Sequence, residues 1–411
     1  MVALRLGTCA AAVLAAASVA AAQWPQFRGP TGQGLAAGAE PPLEWSETRN
    51  VVWKVPVGGG WSSPVVADGS VWMTTAVAGR DGATVSLRAV AFDARTGQSR
   101  VDVEVFRLER PGAINLKNSR ASPTPIVDRG RVYVHFGADG TAALDGRGRI
   151  LWRTRLPYES QHGNGGSPVL YGDLLIVNCD GWGEEAYVAA LDTATGDIRW
   201  KTSRPRPWSH AYSTPLLIEV DGQDQVVSTG AYRAVAYEPR TGREIWRVRY
   251  ADGFSNVPRP VFAHGLVYIG TGFNEPTLIA VRPDGHGDVT ATHLAWTQRR
   301  GAPYTPSPIV AGEYLYYVSD TGVLTQADAR AGEVRWQARL GGNFSASPVL
   351  AGGRLYFQSE EGVTSVVAPG EDFELLATNR LDGATLASMA VDGEAVYIRS
   401  ATHLYRIEAG P

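Results

Sequence analysis

Aromatic rings, amides, arginines and carboxylates gather in this sequence between short apolar runs rather than within them. One set comprises Trp61, Asn118, Arg120, His162, Asn164, His210, Tyr212, Asn256, Arg259, Tyr304 and Phe344. A second comprises Asp180, Trp182, Glu184, Arg233, Asn274, Glu275, Asp320 and Glu360. Aromatic faces beside amide, guanidinium and carboxylate groups suit a flat polar ligand, such as a sugar or a quinone. Other chemistry has little support. The seven His include no H-E-x-x-H and no close pair, which argues against a zinc site. No G-x-S-x-G elbow, P-loop or dinucleotide fingerprint is present. His162, in HGNGG, reads as a loop hydrogen-bonder rather than a base. A single sequon, Asn343-Phe344-Ser345, is expected by chance.

Residues so far apart in the chain need a scaffold that brings many loops to one place, and a repeat supplies it. The phrase SPVLAGGRLYF, from Ser347, has close copies: SSPVVADGSVW, PTPIVDRGRVY, GSPVLYGDLLI, STPLLIEVDG, RPVFAHGLVY, SPIVAGEYLY and SMAVDGEAVY. The aligned positions are Pro64, Pro125, Pro168, Pro215, Pro260, Pro308, Pro348 and Met389. A period near the mid-forties, with turn signals between short apolar runs, marks a β-propeller. A second phrase completes each unit, clearest in ALDTATGDIRW, which ends at Trp200. It recurs in sequences ending at Trp152, Trp246 and Trp336. Asp bonds the turn backbone, Gly accepts positive φ, and Trp follows on the last strand. That ring can pack between neighbouring sheets while its N–H finds a carbonyl.

The predicted fold is therefore all-β: an eight-bladed β-propeller of four-stranded blades. Strand A opens with Pro, as a strand's first residue can, and strand D ends near Trp. The last unit has only three strands, ending at His403 to Ile407, whereas Asn50 to Val55 reads as a D strand ahead of the first A strand. The N-terminal strand should close the last blade and remove the open edges. Two D strands lack Trp: Val101 stands at its place in the first unit, and Leu375-Leu376 in the seventh. Residues 50–408 form the expected propeller. Residues 23–49 are aperiodic and are expected to lie over its surface, anchored by Trp24, Phe27 and Trp45. On this reading the first candidate set sits on D–A loops and the second on B–C loops, which share one face. Loops of that kind carry sites more often than the strands do.

Residues 1–22 read as a signal peptide. Arg5 precedes an apolar run from Leu6 to Ala20, and Ala20-Ala21-Ala22 is a cleavage pattern, with cleavage expected after Ala22. The run is too short and Ala-rich for a comfortable membrane span. Periplasmic or secreted localisation follows as the expectation. Cys9 lies inside the leader, ahead of most of the run, so Cys179 is the only thiol of the mature chain. No intramolecular disulfide is then possible, and the core must hold the fold. The chain carries 38 basic and 41 acidic residues, and the basic ones are scattered Arg apart from Lys54, Lys117 and Lys201. No basic stripe of the kind that binds nucleic acid is visible.

The A-x-D-x-x-T-G-x-x-x-W phrase resembles the tryptophan-docking repeat of pyrroloquinoline quinone (PQQ) dehydrogenases and their PQQ-like relatives. The resemblance covers Val51 to about Glu408. With WPQFRGP, RRGAPYTPSP, LGGNFSASP and THLYRI, the chain is most similar to secreted bacterial PQQ-like propellers that carry the repeat without a demonstrated reaction. It also resembles the propeller lipoprotein of the outer-membrane β-barrel assembly machinery. The dehydrogenase resemblance implies PQQ with Ca²⁺, and Asp180 with Glu184, in NCDGWGEE, is the carboxylate pair that could hold the ion. The dehydrogenases also use a vicinal Cys-Cys disulfide, which one mature cysteine cannot supply. The expectation is an exported, monomeric, non-catalytic binding propeller without a cofactor, recognising a protein or a small polar ligand. A quinone-linked oxidoreductase and a carbohydrate-binding or carbohydrate-active propeller are the alternatives.

Overall fold

The computed structural model describes residues 23–80, 82–182, 185–207 and 209–410. The leader expected over 1–22 and Glu184 lie outside the described residues. Within them, the strands form eight sheets arranged as propeller blades. Blade 3 shows the unit: strands A to D are Val169–Tyr171, Leu174–Cys179, Ala186–Asp192 and Ile198–Arg204, each antiparallel to the next. Blades 1 to 7 span 65–109, 126–154, 169–204, 216–249, 261–298, 309–339 and 349–380, and strands A to C of blade 8 span 390–407. The A strands of successive blades lie side by side and form the inner wall. As the sequence predicts, Val51–Pro56 completes blade 8, with Val51 opposite Ile407 and Pro56 opposite His403. Two short strands widen the pattern. Gly287–Asp288 runs parallel to the D strand of blade 4, and Leu35–Ala36 runs parallel to the A strand of blade 7.

The Trp phrase works by contact with the next blade. The Trp200 indole N–H donates to Pro239 O at 2.9 Å, in the C–D turn of blade 4. Its ring lies over Gly242, where a Cβ would come within 2.4 Å of the ring and φ is +71°. Only Gly fits both constraints. Trp53, Trp152 and Trp296 make the same bond to the blade after theirs, at 3.2, 3.0 and 3.1 Å. A bulge one residue before each Trp, such as Arg199, turns the ring onto the buried face. In blade 1 Val101 takes this place, as expected. In blade 7 the position opposite Val366 belongs to Ala377 rather than to Leu375 or Leu376, because Leu376 is itself the bulge residue. Trp246 turns instead to Gln225 of its own blade at 2.8 Å, because the blade 5 C–D connection is a long excursion.

The aperiodic segment differs from its expected position. Trp24 pairs with Val66 of blade 1, and Pro25 O accepts the Val127 N–H of blade 2 at 2.9 Å. Phe27 O accepts a bond from Arg259 of blade 5 at 2.6 Å, and Arg28 donates to Pro308 O of blade 6 at 2.9 Å. Leu35–Ala36 then joins blade 7. These partners stand on opposite sides of the ring, so the segment crosses the central channel and plugs it. Trp24 and Trp45 are buried as predicted anchors. Backbone groups of the plug pair partly within it, as Gly29 N–H to Gln26 O and Gly34 N–H to Arg28 O, and partly with the blades, which a buried irregular segment requires. Neither hydrophobicity nor periodicity in 23–49 announced it.

Candidate functional site

The residue before each strand-A Pro has a specific job. The Ser63 N–H donates to Thr124 Oγ1 at 3.0 Å, Thr124 to Ser167 at 2.9 Å, and Ser167 to Thr214 at 2.9 Å. The series resumes from Arg259 to Ser307, Ser347 and Ser388, at 2.9, 3.0 and 2.8 Å. A belt of hydroxyls thus clasps blade to blade around the axis. Blade 5 departs from it, with Arg259 in the hydroxyl position. Its guanidinium bridges the gap to Pro215 O at 3.0 Å and holds the plug at Phe27 O. Burial pushes the Arg259 pKa down to about 9.

Above the belt, on the face of the D–A and B–C loops, opens a cavity of about 660 Å³. That volume lies in the ordinary range for small-molecule sites. Its floor is the belt together with Phe27 of the plug. One wall is a continuous run of rings across blades 3 to 6. Centroids are 5.5 Å apart for Trp182 and His210, 5.4 Å for His210 and Phe254, 5.9 Å for Phe254 and Phe273, and 6.0 Å for Phe273 and Tyr304. His162 meets His210 edge-on at 4.9 Å. Burial, then the neighbouring His162, holds His210 at about pKa 4, so it is neutral at neutral pH. The Tyr212 hydroxyl is buried beside the His162 backbone without a well-formed hydrogen bond, and burial raises its pKa.

A strap closes part of the mouth. It belongs to the connection between blades 1 and 2, yet its Lys117 pairs at 2.6 Å with Glu360 of blade 7. Asn118 Nδ2 ties the strap to His162 O at 2.8 Å on the other side. Leu116 at its tip is fully exposed.

Of the residues predicted from sequence, Trp61, Asn118, His162, Trp182, His210, Tyr212 and Tyr304 line this cavity. The others are committed elsewhere. Arg120 pairs with Asp139 at 3.2 Å, and Asn164 turns to Gly166 O. Arg233 donates to Pro207 O at 2.9 Å, and Asn256 to Gly230 O at 2.7 Å. Asn274 bonds Asp252, while Asp320 accepts the Tyr304 N–H at 2.7 Å and so shapes the rim indirectly. Phe344 is core, and Glu275 pairs with Arg299 at the surface. Glu360 reaches the site only through Lys117 and Ser345.

Asp180 needs the clearest correction. It is buried and lies 2.9 Å from the equally buried Arg204 guanidinium. Burial pushes its pKa up to about 6, against the pull of Arg204 and Arg233. A carboxylate already facing a guanidinium below the surface does not fit a Ca²⁺ ligand, and it does not line the cavity. Among the described residues no three His, Cys, Asp or Glu side chains come together as a metal cluster. Cys179 is buried, and burial raises its thiol pKa. The sequence reading missed Phe27, Asn115, Lys117, Gln161, Phe254 and Phe273, together with the belt. The belt was visible in principle, as the small residue before each Pro.

The family model described as outer membrane protein assembly factor BamB matches residues 43–179, 88–338 and 288–403. No curated protein sequence matches significantly. Among solved structures, BamB from Moraxella catarrhalis is similar at 15% identity, covering 87% of this chain and 99% of that one, with a TM-score of 0.57. Quinohemoprotein alcohol dehydrogenase from Comamonas testosteroni is similar at 12% identity, covering 95% and 81%, with a TM-score of 0.66. The computationally designed Ika8 protein is similar at 12% identity, covering 87% and 99%, with a TM-score of 0.61. At these identities the likeness establishes the fold and no more.

Proposed function

The chain belongs to the family of the outer membrane protein assembly factor BamB, and from that premise we propose that it is an exported, non-catalytic binding propeller that engages its ligand or partner at the D–A/B–C face. The observation that carries this reading is the rim. Trp182 and Phe273 are 47% and 58% exposed at the cavity mouth, with Tyr304 beside them. Exposed rings gathered on one face mark recognition surfaces. The residues that repeat from blade to blade, in contrast, are consumed in holding blades together. The family name, with its reference to an outer-membrane assembly factor, supports a periplasmic setting and a binding role. No helix of the described residues is long and apolar enough to cross a membrane.

The test is site-specific photocrosslinking in the producing cell, with the crosslinker at 273 or at 68 on the opposite face. Discrete adducts at 273 and none at 68 are expected. Equal labelling at both positions sinks the reading. The dehydrogenase likeness keeps a quinone-linked oxidoreductase as the alternative. Stoichiometric PQQ binding with Ca²⁺, and alcohol-dependent dye reduction, would favour it.

A further inference from the structure

The cavity carries more information than its face alone. Its polar groups are distributed around a circle rather than placed at one edge. Each belt hydroxyl that accepts a neighbouring backbone N–H still has its own O–H to donate. Ser347 spends its donor on Ser307 at 3.0 Å, but within the belt the hydroxyls of Thr124, Ser167 and Thr214 act as acceptors and that of Ser63 takes no part. A hydroxyl has one donor and two lone pairs, so the floor can offer donors to several positions of one ligand. Among the described residues no Asp or Glu lines the cavity, and the one ammonium among them, Lys117, is already paired with Glu360. The described lining therefore offers no free charge to balance an anionic or cationic ligand. The wall opposite the strap is a run of aromatic faces, long enough to meet more than one ring in succession.

Polar groups around the whole edge, an uncharged lining and stacked aromatic faces together describe a ligand with hydroxyls at its rim and apolar C–H faces. Resting on the binding reading above, we infer that the cavity takes a neutral saccharide of one or more ring units, whose C–H faces lie on the Phe254–Phe273–Tyr304 wall and whose hydroxyls reach the belt. A flat anionic ring system fits less well, because the described lining offers it no unpaired cation.

The experiment is a fluorescence titration of the mature protein, since Trp61 and Trp182 both line the cavity. The probes are neutral gluco-, xylo- and N-acetylglucosamine oligomers, a uronic-acid oligomer and PQQ. Saturable quenching by a neutral oligomer is expected, without it for the uronic-acid oligomer or PQQ. Phe273→Ala should weaken binding at least tenfold. Ile198→Ala, on an outer strand, should bind as the parent does. No saturation by any neutral oligomer, or preference for PQQ or the uronic acid, overturns the inference. If crosslinking at 273 persists in that case, only the ligand class has failed. If crosslinking is lost as well, the binding face itself was misread.

Discussion

The belt and the rim are built within the same D–A connections, a few residues apart, and they follow opposite rules. The belt repeats because every blade meets the same kind of neighbour, so one small hydroxyl residue before Pro solves the same problem each time. The rim repeats nowhere. His162, His210, Phe254 and Tyr304 precede different A strands and have nothing in common but an aromatic ring. Arg259 stands where the two rules meet. It breaks the belt, yet by doing so it holds the plug that floors the cavity. In this molecule periodic residues carry stability, and specificity begins where the period fails.

The sharpest break of that contrast is removal of the first chain segment. Deleting 23–56 takes away both the plug and the strand that closes blade 8. The open edges of blades 8 and 1 are then exposed, and no cooperative thermal transition is expected by circular dichroism. A transition at the parent temperature would show that closure contributes little. Next in size is Trp200→Ala, which removes a docked ring and should cost about 3–5 kcal/mol in urea melts. Trp182→Ala, at the rim, should change stability by less than about 1 kcal/mol. Equal losses would erase the division between repeated and unrepeated residues.

A histidine inside the blades tests the same division by pH. His135 is fully buried, donates to or accepts from Thr141 Oγ1 at 2.8 Å, and has no partner for Nε2. Burial lowers its pKa to about 4, against roughly 6.5 in an unfolded chain. Between those values the unfolded state binds more protons, so acid draws the protein toward unfolding. Its contribution is intact above pH 6.5, declines as pH falls, and levels off below 4, by about 3 kcal/mol in all. His135→Gln should flatten that part of the stability profile. An unchanged slope would mean the proton uptake belongs to another group.

Arg259→Ser is a smaller and more diagnostic change, because it restores the belt hydroxyl while releasing the plug. Phe27 O and Pro215 O lose their donor, and buried acceptors left this way cost about 1–3 kcal/mol. Amide exchange should quicken over 24–36 and not along the A strands. Uniform quickening would show that the arginine serves the blades rather than the plug.

The fold was legible because a propeller writes each rule in most of its eight blades. Pro at the start of strand A, Gly under the ring and Trp on strand D are each intelligible from a single blade. The Ala377 register in blade 7 was not, since a bulge shifts the position by one residue without a local signal. The site was legible in part. The Trp182 ring stays at the rim, but loop residues such as Phe344, Arg233 and Asn256 can equally turn down between blades, and they do. Loop composition is the same in both cases. Phe27 could not be read, because its position depends on an arginine 232 residues away. The strap pair also joins distant parts of the chain that share no motif.

That pair gives the smallest predicted effect. Lys117 is half exposed, and ion pairs at such sites contribute about 0–1 kcal/mol because solvent screens them and two long side chains must be ordered. Lys117→Ala should therefore leave the urea midpoint almost unchanged. The strap itself should respond, since its ion pair across the mouth is gone while Asn115 and Asn118 still hold His162 O. Amide exchange over 112–118 should accelerate, and Glu360→Gln should reproduce the change because it removes the same charge pair. High salt should do so in the parent protein. The comparison of scaffold and rim requires these three perturbations to act on the strap alone. A loss above about 2 kcal/mol in Lys117→Ala would place the strap among the elements that hold the ring closed, and the rim would then be part of the scaffold rather than a decoration on it.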